Sequence, residues 1–167
     1  MNRKNFLTGL ISAGSLLVLN RKAMSQSQQQ KPEPLNRELV QEFVGNCHGN
    51  FQKVKDLYVR EPRLVFASHD WGNGDFENGI EAAGHTGQKE IAHFLLDKGA
   101  RINFFTLCML GKTELVKRAL GEFPNLVNAK GPHGFTPLHH ANQGGADAKE
   151  VKALLESLGA SDLQVKL

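Results

Sequence analysis

Residues 134–141 read Gly134-Phe135-Thr136-Pro137-Leu138-His139-His140-Ala141, and a helix start is written into them. Thr136 is a good N-cap, because its side-chain oxygen can accept from a free amide of the first turn. Pro137 suits the first helical position, where its missing N–H has no partner to lose. Leu138 comes next as a core residue between helices. Downstream, Val151-Lys-Ala-Leu154-Leu155 forms one stripe of a second helix. Gly159 then supplies the left-handed residue that ends it.

Three earlier segments carry the same stripe. They are Val54-Lys-Asp-Leu57-Tyr58 running to Pro62, Ala92-His-Phe-Leu95-Leu96 running to Gly99, and Val116-Lys-Arg-Ala119-Leu120 running to Pro124. A shorter apolar stretch precedes each stripe, near Phe43, Ile80, Phe104 and Leu138. The segments after the stripes repeat as well, since Pro62-Arg-Leu64-Val65-Phe-Ala67 matches Pro124-Asn-Leu126-Val127-Asn-Ala129 and Gly99-Ala100 matches Gly159-Ala160. Each unit is therefore helix, turn, helix, with an extended link to the next.

Leu57, Leu95, Ala119 and Leu154 stand 38, 24 and 35 residues apart, against about 33 for an ankyrin unit and about 34 for a TPR unit. The motif decides. Thr136-Pro137-Leu138-His139-His-Ala141, then Leu154-Leu155 and Gly159-Ala160, resembles the ankyrin-repeat family over about residues 36–160. The resemblance implies an all-α ankyrin-repeat solenoid of about four units, at about 36–69, 70–102, 103–130 and 131–162. By the same analogy His139 hydrogen-bonds backbone around the preceding hairpin and ties neighbouring units together. The short interval lacks about nine residues of a standard unit. Hairpin fingers are thus expected at about 64–75 and 126–135, with one finger missing between them. The runs Asp70–Asp75, Ala82–Gly87 and Gly131–Gly134 resemble a small exported bacterial branch of that family.

The first 25 residues look like an address. Arg3 and Lys4 precede an apolar run from Phe6 to Leu19, and Ala23-Met24-Ser25 offers small residues for cleavage, the layout of a secretory leader. Arg3-Lys4-Asn5-Phe6-Leu7 resembles the twin-arginine signal, with Lys4 in place of the second arginine. Residues 26–35 read as a flexible linker. No apolar stretch reaches the roughly 20 residues of a membrane-spanning helix.

The formal charge of +3 is misleading about partners. Residues 1–25 hold four basic residues and no acid, so the remainder carries 16 basic and 17 acidic residues. No basic footprint for nucleic acid remains in the part that folds. Two cysteines exclude a disulfide-dense scaffold and a four-cysteine metal site. Cys47 and Cys108 fall two units apart, roughly two helix diameters of about 10 Å each. That separation exceeds the about 7 Å limit for a disulfide and leaves two buried thiols.

Chemistry is sparse by sequence. His139 and His140 diverge by about 100° on a helix, so one ion cannot easily take both, and His140, at the variable position beside the structural His139, is expected to be exposed. Asp70-Trp-Gly-Asn-Gly-Asp75 fails the spacing of an EF-hand loop and reads as a tight turn. Cys47-His48 point apart and make a poor nucleophile–base pair. The expectation is an exported, monomeric, non-catalytic module binding an unidentified protein, with no cofactor, no metal and no membrane insertion after leader cleavage. Its candidate contacts are Asp70, Trp71, Phe105, His133 and Phe135. Trp71 is either an exposed hot spot or a cap on the core beneath the finger. Alternatives are an envelope metal-binding or enzymatic protein using His133, His140 and the Asp70–Asp75 loop, or a cytoplasmic scaffold with an uncleaved N-terminus.

Overall fold

The computed structural model describes Lys31 and residues 33–167. The stretch expected to be a leader, residues 1–25, and most of the expected linker lie outside the described residues. Residues 33–167 are mostly helical, with eight α-helices and one two-stranded ribbon. The helices come as four consecutive pairs: α1 (Arg37–Asn46) with α2 (Phe51–Arg60), α3 (Gly79–His85) with α4 (Lys89–Asp97), α5 (Phe104–Met109) with α6 (Thr113–Glu122), and α7 (Pro137–Gly144) with α8 (Lys149–Ser157). First helices pack in chain order, α1 on α3, α3 on α5 and α5 on α7.

Every first helix starts on a side-chain cap. Asn36, Asn78, Asn103 and Thr136 each accept from the amide three residues on, which fills one of the free donors of the first turn. Asn78 and Glu81 complete a reciprocal capping box, and Pro137 occupies the first position of α7. The Thr136 hydroxyl also donates to the Asp162 carbonyl at 2.6 Å. Thr136→Ala is therefore expected to cost about 1–2 kcal/mol, measured by urea unfolding.

The second helices bury the stripes read from the sequence: Val54 and Leu57, Ala92 and Leu95, Val116 and Leu120, Val151 and Leu155. At Gly99 and Gly159, φ is +92° and +91°. In both cases the next amide returns to the third-last helical carbonyl, Ala100 to Leu95 at 2.9 Å and Ala160 to Leu155 at 3.0 Å. This is the Schellman closure that a left-handed glycine permits. The apolar interior has two parts, one around Phe43, Leu64, Ile91 and Leu95, the other around Val116, Leu138, Val151 and Leu155.

The links depart from expectation in two places. The first finger is a hairpin of β1 (Ser68–Asp70) and β2 (Phe76–Asn78), a few residues later than 64–75, because Pro62–Phe66 closes into a 3₁₀ turn first. The second, at 126–135, is no strand pair. Pro124–Asn128 and Pro132–Gly134 are 3₁₀ turns, and prolines there remove amides a ladder would need. Its strand partner comes instead from the chain beyond residue 162. Thr136 N–H donates to the Leu163 carbonyl at 3.0 Å and Val165 N–H to the Gly134 carbonyl at 2.9 Å, around an antiparallel bridge of Phe135 with Gln164. Residues 98–103, between α4 and α5, carry no hairpin, as the short interval implies.

Candidate functional site

The hairpin delivers a carboxylate inward. Asp70 Oδ1 accepts from Gly72 N–H at 2.9 Å, and Gly72, Asn73 and Gly74 all take positive φ, so residues 70–75 form the tight turn that their composition suggests. Alternation along β2 then leaves Phe76 outside and buries Glu77, opposite His69 on β1. Glu77 is 0% exposed.

Three histidines from three other places converge on it. His48 lies in the turn between α1 and α2, His85 ends α3, and His133 sits in the turn before α7. His85 Nε2 approaches Glu77 Oε1 at 2.8 Å and His48 Nε2 at 3.1 Å. His48 Nε2 and His133 Nε2 each lie 3.5 Å from Glu77 Oε2. Trp71 closes the rim, its indole N–H donating to Glu77 Oε2 at 2.8 Å. His48 and His133 are about a third exposed, so the cluster reaches solvent through them.

Outer contacts fix two of the rings. His48 Nδ1 is 3.1 Å from the carbonyls of both Val44 and Gly45. A carbonyl only accepts, so Nδ1 carries the proton and donates. His133 Nδ1 donates to Asp75 Oδ2 at 2.6 Å, while Asp75 Oδ1 accepts from the His133 backbone amide at 2.9 Å. That clamp holds His133 at φ +57°. In the neutral ring each remaining nitrogen, Nε2, is then a lone pair aimed at Glu77. Burial alone would raise the Glu77 carboxyl. The hydrogen bond from His85, the attraction of the His48 and His85 rings in their protonated form and the Trp71 N–H outweigh it and hold the group below its ordinary value.

Phe135 stacks between His85 and His139, at centroid distances of 5.0 and 4.0 Å. Of the sequence-derived contact residues, Trp71, His133 and Phe135 thus meet at the finger root. Asp70 is spent on its turn, and Phe105 packs against His140, 5.1 Å away. His48, Glu77 and His85 are absent from that set. The usable signal is positional: His48 and His85 both stand where the first helix of a unit gives way to its turn.

Two expectations for the histidine pair change. His139 Nε2 bonds the His85 carbonyl at 2.9 Å, two units back rather than around the preceding hairpin. The reason is that α7 also touches α3, across the six-residue α5. His140, expected at an exposed position, is 0% exposed. Its Nδ1 donates to the Thr136 carbonyl at 2.8 Å, and the ring is covered by Gly84 on α3 and by Phe105 on α5. His140 is therefore outside the cluster, and the metal or enzymatic alternative loses one of its residues. Cys47 and Cys108 are free and buried. Burial pushes the Cys108 thiol up to about 12 and raises that of Cys47 further, which keeps both unreactive. Among the described residues no helix is long and apolar enough to cross a membrane.

No protein-family model matches this chain, and no curated protein matches it either.

Proposed function

We propose that the protein is an exported, non-catalytic interaction module of ankyrin type, and that the finger root is its recognition face. The carrying observation is convergence. Trp71, His133 and Phe135, drawn from a finger and from the loop before α7, come together beside a half-open histidine–carboxylate cluster. Trp71 is 38% exposed and Phe76, on the outer side of the same finger, 59%. An amphipathic aromatic of this kind, anchored through its polar end and offering its ring, is the residue type enriched in binding hot spots. Four capped helix pairs and the Thr136–Ala141 motif support the ankyrin reading, and the charge–apolar–small order of residues 1–25 supports export.

The test is capture from an envelope extract of the host with immobilised full chain, beside Trp71→Ala and Phe76→Asp, well below the melting temperature. A specific protein should be retained by the wild type and lost by about tenfold or more in both variants. Equal retention by all three proteins, or none by the wild type, would sink this reading. A second reading, a metal-binding protein, is favoured by the three ring nitrogens that face one carboxylate.

A further inference from the structure

We propose that Nε2 of His48, His85 and His133 and one carboxylate oxygen of Glu77 form a four-coordinate site for a divalent transition-metal ion of the zinc class. The site is independent of any protein partner.

Distance comes first. One ligand atom from each of the four side chains lies within 4.8 Å of every other. Four ligands at about 2.0–2.2 Å around a tetrahedral ion stand about 3.4 Å from one another. The separations straddle that value: 2.8 Å from His85 Nε2 to Glu77 Oε1, 3.1 Å between the Nε2 atoms of His85 and His48, and 3.5 Å from His48 and His133 to Glu77 Oε2. The remaining pairs lie within 4.8 Å, so rotation of the side chains about a single carboxylate oxygen gathers the set.

Orientation carries more weight. A ligating imidazole characteristically donates its other N–H to a carbonyl or carboxylate, which fixes the tautomer and aims the ring. His48 does this to two carbonyls and His133 to Asp75. Both Nε2 lone pairs then face Glu77 Oε2, itself an acceptor, with no proton between them unless a ring becomes charged. A shared cation removes that conflict. It takes both lone pairs and the carboxylate, and His85 joins by carrying its ring proton on Nδ1 instead of Nε2. Burial of Glu77 and His85, 0% and 7% exposed, separates this cluster from an ordinary solvated group of charges.

The donor set selects the ion. Three imidazoles and a carboxylate, without thiolate or thioether, suit zinc better than copper(I), calcium or magnesium. Four protein ligands make a closed, structural type of site. It would join residues 48, 77, 85 and 133, four segments that no disulfide links.

The experiment uses purified full chain, stripped with a chelator and then dialysed against Zn²⁺. Elemental analysis should return one zinc per chain, and the melting temperature should rise by about 5 °C or more over the stripped protein. Co²⁺ in place of zinc should give the intense visible band of a tetrahedral ion. Glu77→Gln and His133→Ala should abolish both metal retention and band. Asp75→Asn, which keeps all four ligands, should weaken affinity by about 10–100-fold and covers the case in which a ligand variant fails to fold. Retention of less than about a tenth of an equivalent, an unchanged melting temperature, or equal zinc in the ligand variants would overturn the site. A null metal result beside an intact Trp71-dependent partner would leave the interaction reading standing.

Discussion

Glu77→Ala is expected to cost about 3–5 kcal/mol of folding stability, the largest loss from any single change at the finger root. The carboxylate is fully buried, and it accepts from His85 and from Trp71 at 2.8 Å each. Its removal leaves His48 and His85 without a carboxylate, with only Asp75 remaining beside His133, and leaves the indole N–H without its acceptor. Glu77→Gln keeps the shape and one acceptor oxygen, so a smaller loss is expected. Urea unfolding of the three proteins at pH 7 measures it, and a loss under about 1 kcal/mol for the alanine variant would show that the cluster does not hold the finger. The acid limb has a definite sign. The Glu77 carboxyl lies below its ordinary value when folded, so it stabilises above the ordinary carboxylate range of about 4.3 and loses that contribution as pH falls through the folded value.

His140 works in a higher window. Burial is the chief cause that lowers it to about 4. The Thr136 carbonyl and Glu77 oppose the shift, and His139 and His85 add to it. Unfolded histidine takes its proton near pH 6.5. Between those two values the unfolded chain is protonated at His140 and the native chain is not, so stability rises with pH and falls on acidification. The loss from pH 6.5 to 4 amounts to about 3 kcal/mol at this one residue. His140→Gln keeps a donor toward the Thr136 carbonyl but does not titrate. Its unfolding midpoint should therefore fall less than that of the wild type between pH 7.5 and 4.5. Parallel pH profiles for the two proteins would contradict the burial of this ring.

Legibility in the sequence tracks the range of each interaction. The Thr136-Pro137 start, the Leu95 and Leu155 stripes and the Gly99 and Gly159 ends are settled within five or six residues, and periodicity with capping chemistry reads them directly. Unit counting likewise suffices to make Cys47 and Cys108 separate buried thiols. The Glu77 cluster is different. Its members lie 29, 8 and 48 residues apart along the chain, and Glu77 in a three-residue strand looks like any surface acid until the hairpin register turns it inward. His133 stands out in the sequence as a candidate contact, but without its cluster partners, because even its clamp to Asp75 spans 58 residues. The exposure expected for His140 fails for a related reason. Whether its side of α7 is open depends on the packing of α3 and α5 against it, which nothing local to residues 136–141 records.

Trp71 is the chain's only tryptophan, and its ring stands 4.5 Å from His69, 6.1 Å from His133 and 6.3 Å from His48, with its N–H on Glu77. The intrinsic fluorescence of this protein is consequently a local signal. Ultraviolet excitation of the indole interrogates one corner of the molecule, where neighbouring imidazoles can quench it and the carboxylate tunes its colour. A shift in emission on adding an ion, an acid or a binding partner would report directly from the finger root, with no dye or label attached.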